Sequence, residues 1–306
     1  MTGYYLSIGS IIIDDIILPD GTERLGILGG GLTHGAMGIR IWSDQVGLVS
    51  SVGYDFDQSQ FNLLKSYFDI SGVENLTDVP TPRAWQVFEK DGTRHETFQT
   101  DFQIMQDCIP KPDQLPEVYA ELHGVHLHCP PRDVALWVPS LRDRGCQVIL
   151  WEPWDEFCIP ENRELFQSNC SLIDIVSPNL REASRLTGKD DPADIIYRLR
   201  DYGAKVSALR MAELGSLILG DSGDIYHIPA FPVSNILDVT GAGNAFCGGF
   251  VYGFSHTADI QHAGWYGGVS ASLALHQFGA LHPLVDLSQK AFTRLEWYKK
   301  QVNLSR

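Results

Sequence analysis

At 306 residues with 44% hydrophobic content, the chain is long enough to bury a large core. Its 38 acidic against 23 basic side chains leave a formal charge of −15, which repels nucleic-acid backbones and anionic membrane surfaces and argues against either as a partner. The six cysteines form no CxxC pair and no dense framework, which points to a reduced, cytoplasmic setting and away from zinc fingers.

The apolar run from Leu6 to Ile13 is short and β-branched, and it ends at Asp14 and Asp15. It reads as one buried strand, and without a basic flank or an uninterrupted apolar stretch it is neither a signal peptide nor a membrane span. Gly29, Gly30 and Gly31 then lead into LTHGAMGIRIW, which has helical spacing, and QVGLVSSVG follows as a second buried strand. Residues 83–99, RAWQVFEKDGTRHETFQ, alternate apolar and polar side chains around Asp91 and Gly92, the pattern of a hairpin. The α/β rhythm resumes through GVHLHCP, QVILWEP, IDIVSPN, KVSALRM and SLILG, each separated by a segment able to form a helix or turn. These elements predict one α/β domain over residues 1–306, with a mainly parallel, helix-covered sheet and no internal repeat. In such a sheet ligands bind beyond the carboxyl ends of the strands, here marked by Asp14, His128, Glu152, Asn179 and Arg210.

Residues 238–250, DVTGAGNAFCGGF, place two glycines around Ala242 directly before an apolar helical stretch. Backbone amides at Gly241, Ala242 and Gly243 can approach a phosphate there, and the following helix aims its positive end at the same point. A glycine turn that merely packs a helix close to a strand fits the same three residues. A dinucleotide fingerprint does not, because Phe246 stands at its third glycine position, and the GK[ST] of a P-loop is absent.

Taken whole, the segment resembles the second signature of the PfkB, or ribokinase-like, family of small-molecule kinases, in which an Asp, a Thr and a GAG turn precede an acidic residue and a helix. Other landmarks fall in that family's order: GSIIID at 9–14, GGGLTH at 29–34, VGLVSSVGYDF at 46–56, TPRA at 81–84 and SPNLREASRLTG at 177–188. The resemblance spans nearly the whole chain. It implies a three-layer ribokinase-like sandwich with a small β lid whose strands fall near 12–28 and 81–100, and some members pair such lids in a homodimer. It also implies phosphoryl transfer from ATP, with Mg²⁺ and room for a monovalent cation, to a hydroxyl of a sugar, nucleoside or related small molecule. By this likeness Asp14, Gly29, Gly30 and His34 face the acceptor, while Gly241, Ala242 and Gly243 hold the transferred phosphate. Arg210, Gly215, Thr240 and Gly279 then belong to the nucleotide side. Asn179 and Glu182 match an NxxE motif tied to Mg²⁺ through water, although the same pair equally suits a helix cap with its N3 partner.

The pattern breaks at Asn244, which stands where the family has its acidic proton acceptor; an amide cannot act as a general base at neutral pH. His34 replaces a frequent Asn, and Ala212 a usual glycine. The texture around these departures is similar to a divergent PfkB-like subgroup that includes fungal proteins linked to maintenance of a double-stranded RNA virus. Two functions follow, a kinase slowed by Asn244 or a ligand-binding pseudokinase. His126, His128 and Cys129 offer metal-ligand chemistry but also fit a buried strand. Trp151 and Trp154, beside Glu152, suit either a pocket wall or the core.

Overall fold

The computed structural model describes residues 3–90 and 93–304, so the turn expected at Asp91 and Gly92 lies outside the described residues. The first elements are β1 (Tyr4–Ile8), β2 (Ile12–Ile17), β3 (Glu23–Gly29), α1 (Gly31–Arg40), β4 (Val46–Val52), α2 (Gln58–Lys65), β5 (Asp69–Asn75), β6 (Arg83–Phe88) and β7 (Arg94–Phe98). The middle of the chain forms α3 (Phe102–Asp107), β8 (Leu122–Cys129), α4 (Pro131–Asp143), β9 (Val148–Pro153), α5 (Arg163–Cys170), β10 (Ile175–Val176), α6 (Leu180–Thr187) and α7 (Pro192–Asp201). It ends with β11 (Val206–Arg210), β12 (Ser216–Leu219), β13 (Ile225–Ile228), α8 (Ala242–Thr257), α9 (Ile260–Ala274) and α10 (Leu287–Leu304). Among the described residues, no helix is long and apolar enough to cross a membrane.

Nine strands join in the order β13-β12-β11-β10-β9-β8-β1-β4-β5. From β11 to β5 every pairing is parallel, while β12 and β13 turn back antiparallel at one edge. A parallel sheet covered on both faces needs strands that are apolar on both sides. Leu6, Ile8, Leu48, Val49, Val125, Leu127, Ile149 and Trp151 meet that need and are all fully buried. One layer packs Leu32, Met37, Phe250, Val269 and Leu295 from α1, α8, α9 and α10 against the sheet. The opposite layer uses Trp137, Phe166, Leu186, Ile195 and Leu199 from α4 to α7. The result is the helix-covered sheet the strand rhythm predicts, in the three-layer arrangement the resemblance implies.

One expectation changes. The run from Leu6 to Ile13 is not a single strand: it breaks after Ile8, and the chain leaves the large sheet to enter a second one as β2. Gly9 makes the break possible, because a side chain there would stand 2.7 Å from the carbonyl oxygen of His128. Apolar periodicity cannot register such a break, since Ile11 and Ile12 are as apolar as the residues before it.

The second sheet has four strands in the order β3-β2-β6-β7, with β2 parallel to β6 and the outer pairs antiparallel. A single carboxylate links all its parts. Asp15 on β2 accepts from Arg83 Nε at 2.7 Å and Nη2 at 3.0 Å, from Gln99 Nε2 at 2.9 Å and from the Gly26 amide at 2.9 Å. Burial alone would raise its pKa, but these donors outweigh burial and hold the carboxyl at about 2. With the folded pKa depressed, the stabilisation is complete above the unfolded value of about 3.9 and is lost as pH falls through about 2. Asp15→Asn is therefore expected to lower the melting temperature near neutral pH, and the gap from the parent should close as the pH is taken from about 4 towards 2. Melting curves across that range check this, and a gap independent of pH would contradict it.

Candidate active site

A cleft of about 760 Å³ opens where the carboxyl ends of the parallel strands meet the second sheet. His128 and Glu152, at the ends of β8 and β9, and Arg210, the last residue of β11, line its floor. Gln86, Glu96 and Phe98 reach it from β6 and β7, and Asp155, Glu156 and Glu213 add carboxylates to its wall. Of the residues expected at a site, Asp14, Gly30, His34, Asn179, Glu182, Arg210, Gly215 and residues 240–244 all line this one cleft. Gly29 and Gly279 do not. Gly29 lies directly under the Asp14 carboxylate, where a side chain would collide with it. Gly279 has φ +75° and sits against Ile27, and the next amide, of Ala280, donates to Leu28 O at 2.9 Å, so this turn braces β3 from behind.

The GAG turn forms the start of α8. Gly241 is its N-cap in the left-handed region, and the helix runs 16 residues. The Thr240 amide donates to Asp238 Oδ1 at 2.7 Å and the Ala242 amide to Val239 O at 3.4 Å. Among the described residues the amides of Gly243 and Asn244 have no acceptor, and the Thr240 hydroxyl is buried without a partner. Unpaired donors at the positive end of a long helix can receive an anion. The turn is wedged between two cationic or polar side chains: a side chain at Gly241 would fall on the His34 ring, and one at Gly243 on the Arg210 guanidinium. Further along, Gly38 meets the Ala245 carbonyl and Gly248 meets that of Gly35, so α1 and α8 touch at their backbones. That contact sets the GGG loop beside the GAG turn.

Beneath the turn lies a buried charge network. Arg210 Nη1 donates to Glu152 Oε1 at 2.6 Å, and Arg210 Nη2 donates to Ser177 O at 2.9 Å and lies 3.5 Å from Glu182 Oε2. Glu152 Oε2 pairs with His126 Nε2 at 2.7 Å, and His126 Nδ1 pairs with Ser7 Oγ at 2.9 Å, the same hydroxyl lying 2.9 Å from Leu32 O. Burial would raise the Glu152 carboxyl, but Arg210 and His126 hold it far below the usual carboxylate range. At Glu182 burial wins and lifts the pKa to about 7, against the pull of Arg210. Asp14 is raised to about 7 by burial as well, offset in part by the bond it accepts from Gln86 Nε2 at 3.0 Å.

Asn179 and Glu182 form the capping box that their spacing allows. Asn179 Oδ1 accepts from the Glu182 amide at 2.9 Å, and Glu182 Oε2 and Oε1 accept from the Asn179 amide at 2.7 Å and from Nδ2 at 2.5 Å. With both oxygens engaged, Glu182 offers a cation contact through water rather than direct ligation. Ala212 adopts φ +51°, a left-handed conformation natural to the glycine that the resemblance expects there.

The HLHCP segment divides into three environments. His126 joins the charge network, His128 faces the cleft, and Cys129 is core. His126, Glu152 and Cys247 come together at metal-ligand distances, but both Glu152 oxygens are taken by His126 and Arg210, so the cation held there is the guanidinium. Trp151 is core and donates to Cys129 O at 3.0 Å, whereas Trp154 lines the cleft and donates to His128 O at 3.2 Å. Gln86 and Glu96 escape sequence reading; only the alternation of the hairpin hints that Ala84, Gln86 and Phe98 share an inner face.

Known proteins resemble the chain in sequence and in fold. The model of the pfkB family of carbohydrate kinases matches residues 6–287. A cytidine kinase of Thermococcus kodakarensis is 31% identical over 257 residues, covering 83% of this chain and 89% of that protein. Protein MAK32 of Saccharomyces cerevisiae is 28% identical over 219 residues, covering 61% of this chain and 60% of that protein. Among solved structures, the ribokinase of Arabidopsis thaliana complexed with ribose and ATP is similar with a TM-score of 0.75 at 19% identity, covering 97% of this chain and 99% of that one.

Removing Arg210 would strand two buried carboxylates. Arg210→Leu is expected to cost about 3–5 kcal/mol of stability in urea unfolding, and Glu152→Gln in the same chain should recover part of it. A loss below about 1 kcal/mol would show that the pair is not the internal tie described above.

Proposed function

Because the chain belongs to the pfkB family of carbohydrate kinases, we propose that it transfers the γ-phosphoryl group of ATP to a hydroxyl of a nucleoside. The observation that carries this reading is the pair of unpaired amides at Gly243 and Asn244, which open into the same cleft as Asp14 and His34. One end of the cleft can hold a phosphate and the other a hydroxyl, which is the positioning that phosphoryl transfer requires. The unpaired amides of Gly243 and Asn244, at the turn shaped by Gly241 and Ala242, form the anion hole for the charge that builds on the transferred group. Arg210, Gly215 and the orphaned Thr240 hydroxyl serve the nucleotide side, and Asp14 with Gly30 and His34 the acceptor side. Gly29 and Gly279 act at one remove, by seating Asp14 and bracing β3. Bound Mg²⁺ would neutralise phosphate charge, and Asn179 and Glu182 would hold it through its water shell. A nucleoside suits the cleft better than a bare sugar, since Phe98, Met105 and Trp154 offer an apolar wall for a base, and a cytidine kinase is among the similar proteins.

A second reading, binding without turnover, rests on Asn244, whose amide removes the usual proton acceptor. Turnover separates the two. The purified protein is melted with ATP and Mg²⁺ across a panel of nucleosides and sugars, and each hit is assayed for phosphorylated product. A nucleotide-dependent shift with product from a nucleoside is expected; a shift without product supports the binding protein, and no shift removes the proposed phosphate site. Restoring a carboxylate by Asn244→Asp is expected to raise kcat about tenfold or more, given that general bases contribute about 10²- to 10⁴-fold. An unchanged or lower rate would show that residue 244 is not next to the reacting hydroxyl.

A further inference from the structure

We propose that His128 is the proton acceptor that replaces the missing carboxylate, so that the reaction runs on an imidazole supplied by β8 rather than on a group at the start of α8. The proposal rests on the kinase reading above. His128 is the penultimate residue of β8, and its ring lines the cleft. Its Nδ1 is buried and has no hydrogen-bond partner. The imidazole and the Asn244 amide flank one glycine: a side-chain carbon on Gly31 would stand 2.6 Å from His128 Nδ1 and 2.9 Å from Asn244 Nδ2. With no side chain at Gly31, the two groups close over its backbone and face the same part of the cleft.

The charged surroundings suit the role. Burial lowers the pKa of His128 to about 4; Glu152 on β9 opposes this, while His126 on β8 and Arg210 on β11 add to it. The ring is therefore neutral and able to accept at physiological pH, with the basicity of an ordinary aspartate, whose pKa is about 3.9. His34 is also a neutral imidazole with an unpartnered Nε2, but it is only 3% exposed and packed on Gly241. It shapes the turn rather than receiving the proton.

In the step, the acceptor oxygen forms a bond to the γ-phosphorus while the bond from that phosphorus to the β–γ bridging oxygen breaks. ADP leaves with that bonding pair, and the hydroxyl proton passes to the imidazole of His128. The imidazolium returns the proton to water as product departs, and Asn244 orients the attacking hydroxyl.

A double-mutant cycle on kcat tests this. In the chain as it stands, His128→Gln should lower kcat by about 10²-fold or more, while His128→Glu, which keeps a proton acceptor, should lose at least tenfold less. In the Asn244→Asp chain, where a carboxylate is back, His128→Gln should cost at least tenfold less than it does beside Asn244. Equal costs in the two backgrounds, or equal losses for Gln and Glu, would overturn the proposal and leave His128 a shaping residue. ATP-induced melting shifts retained by all variants establish that the fold and nucleotide site persist. If no variant forms product, Asn244→Asp included, the kinase reading fails and the assignment of His128 falls with it.

Discussion

The buried pair between Arg210 and Glu152 is the interaction on which the rest of the site depends. Two charges taken out of water are costly, and the cost is met only when their remaining hydrogen-bonding capacity is filled. Here most of it is filled, by His126 on one side of Glu152 and by Ser177 O on one side of Arg210, while Arg210 Nε stays buried without a partner. The pair therefore ties together the carboxyl ends of β8, β9 and β11 and extends through Ser7 to the first turn of α1. Gly243 rests on the guanidinium, so the height of the GAG turn above the sheet is set by the same group. Electrostatics beneath the cleft and donor geometry within it are in this sense one arrangement.

Packing supplies the other constraint. Helices α1 and α8 approach backbone to backbone through Gly35, Gly38 and Gly248, a distance that no larger residue tolerates. The GGG loop that opens α1 and the GAG turn that opens α8 are thereby held side by side on the same cleft. The second sheet closes the assembly. Its own cohesion comes from Asp15, while the neighbouring Asp14 turns its carboxylate inward over Gly29, so adjacent acids on one strand divide structural and site duties by alternation alone.

Much of this was legible in the residues. The strand rhythm, the glycine turns, the inner hairpin and the capping spacing of Asn179 and Glu182 are local patterns, and local patterns are what periodicity and turn chemistry record. The positive φ of Ala212 follows from a resemblance that expects glycine at that point. What could not be read is pairing across distance. Nothing in the string joins Ser7 to His126, His126 to Glu152, or Glu152 to Arg210, because each lies on a different strand and only the parallel register brings them into line. The break at Gly9 was hidden because the same β-branched residues serve both sheets. Gly279 reads as a site glycine by its place in the chain, yet it braces β3, since a turn's neighbours are decided by packing rather than by sequence.

The acidic wall of the cleft has a consequence for encounter rather than for chemistry. Glu96, Asp155, Glu156 and Glu213 outnumber the two arginines, Arg94 and Arg210, that share the cleft, on a chain whose formal charge is −15. A free polyphosphate approaches such an opening against the local field, whereas the same phosphates carrying a divalent cation approach with less opposition. With a Debye length of about 8 Å at physiological ionic strength, the repulsion is felt mainly at the mouth. On the proposed reading, added salt speeds nucleotide entry, the reverse of its effect on a basic phosphate site, and the acidic wall favours a polyphosphate that already carries a divalent cation.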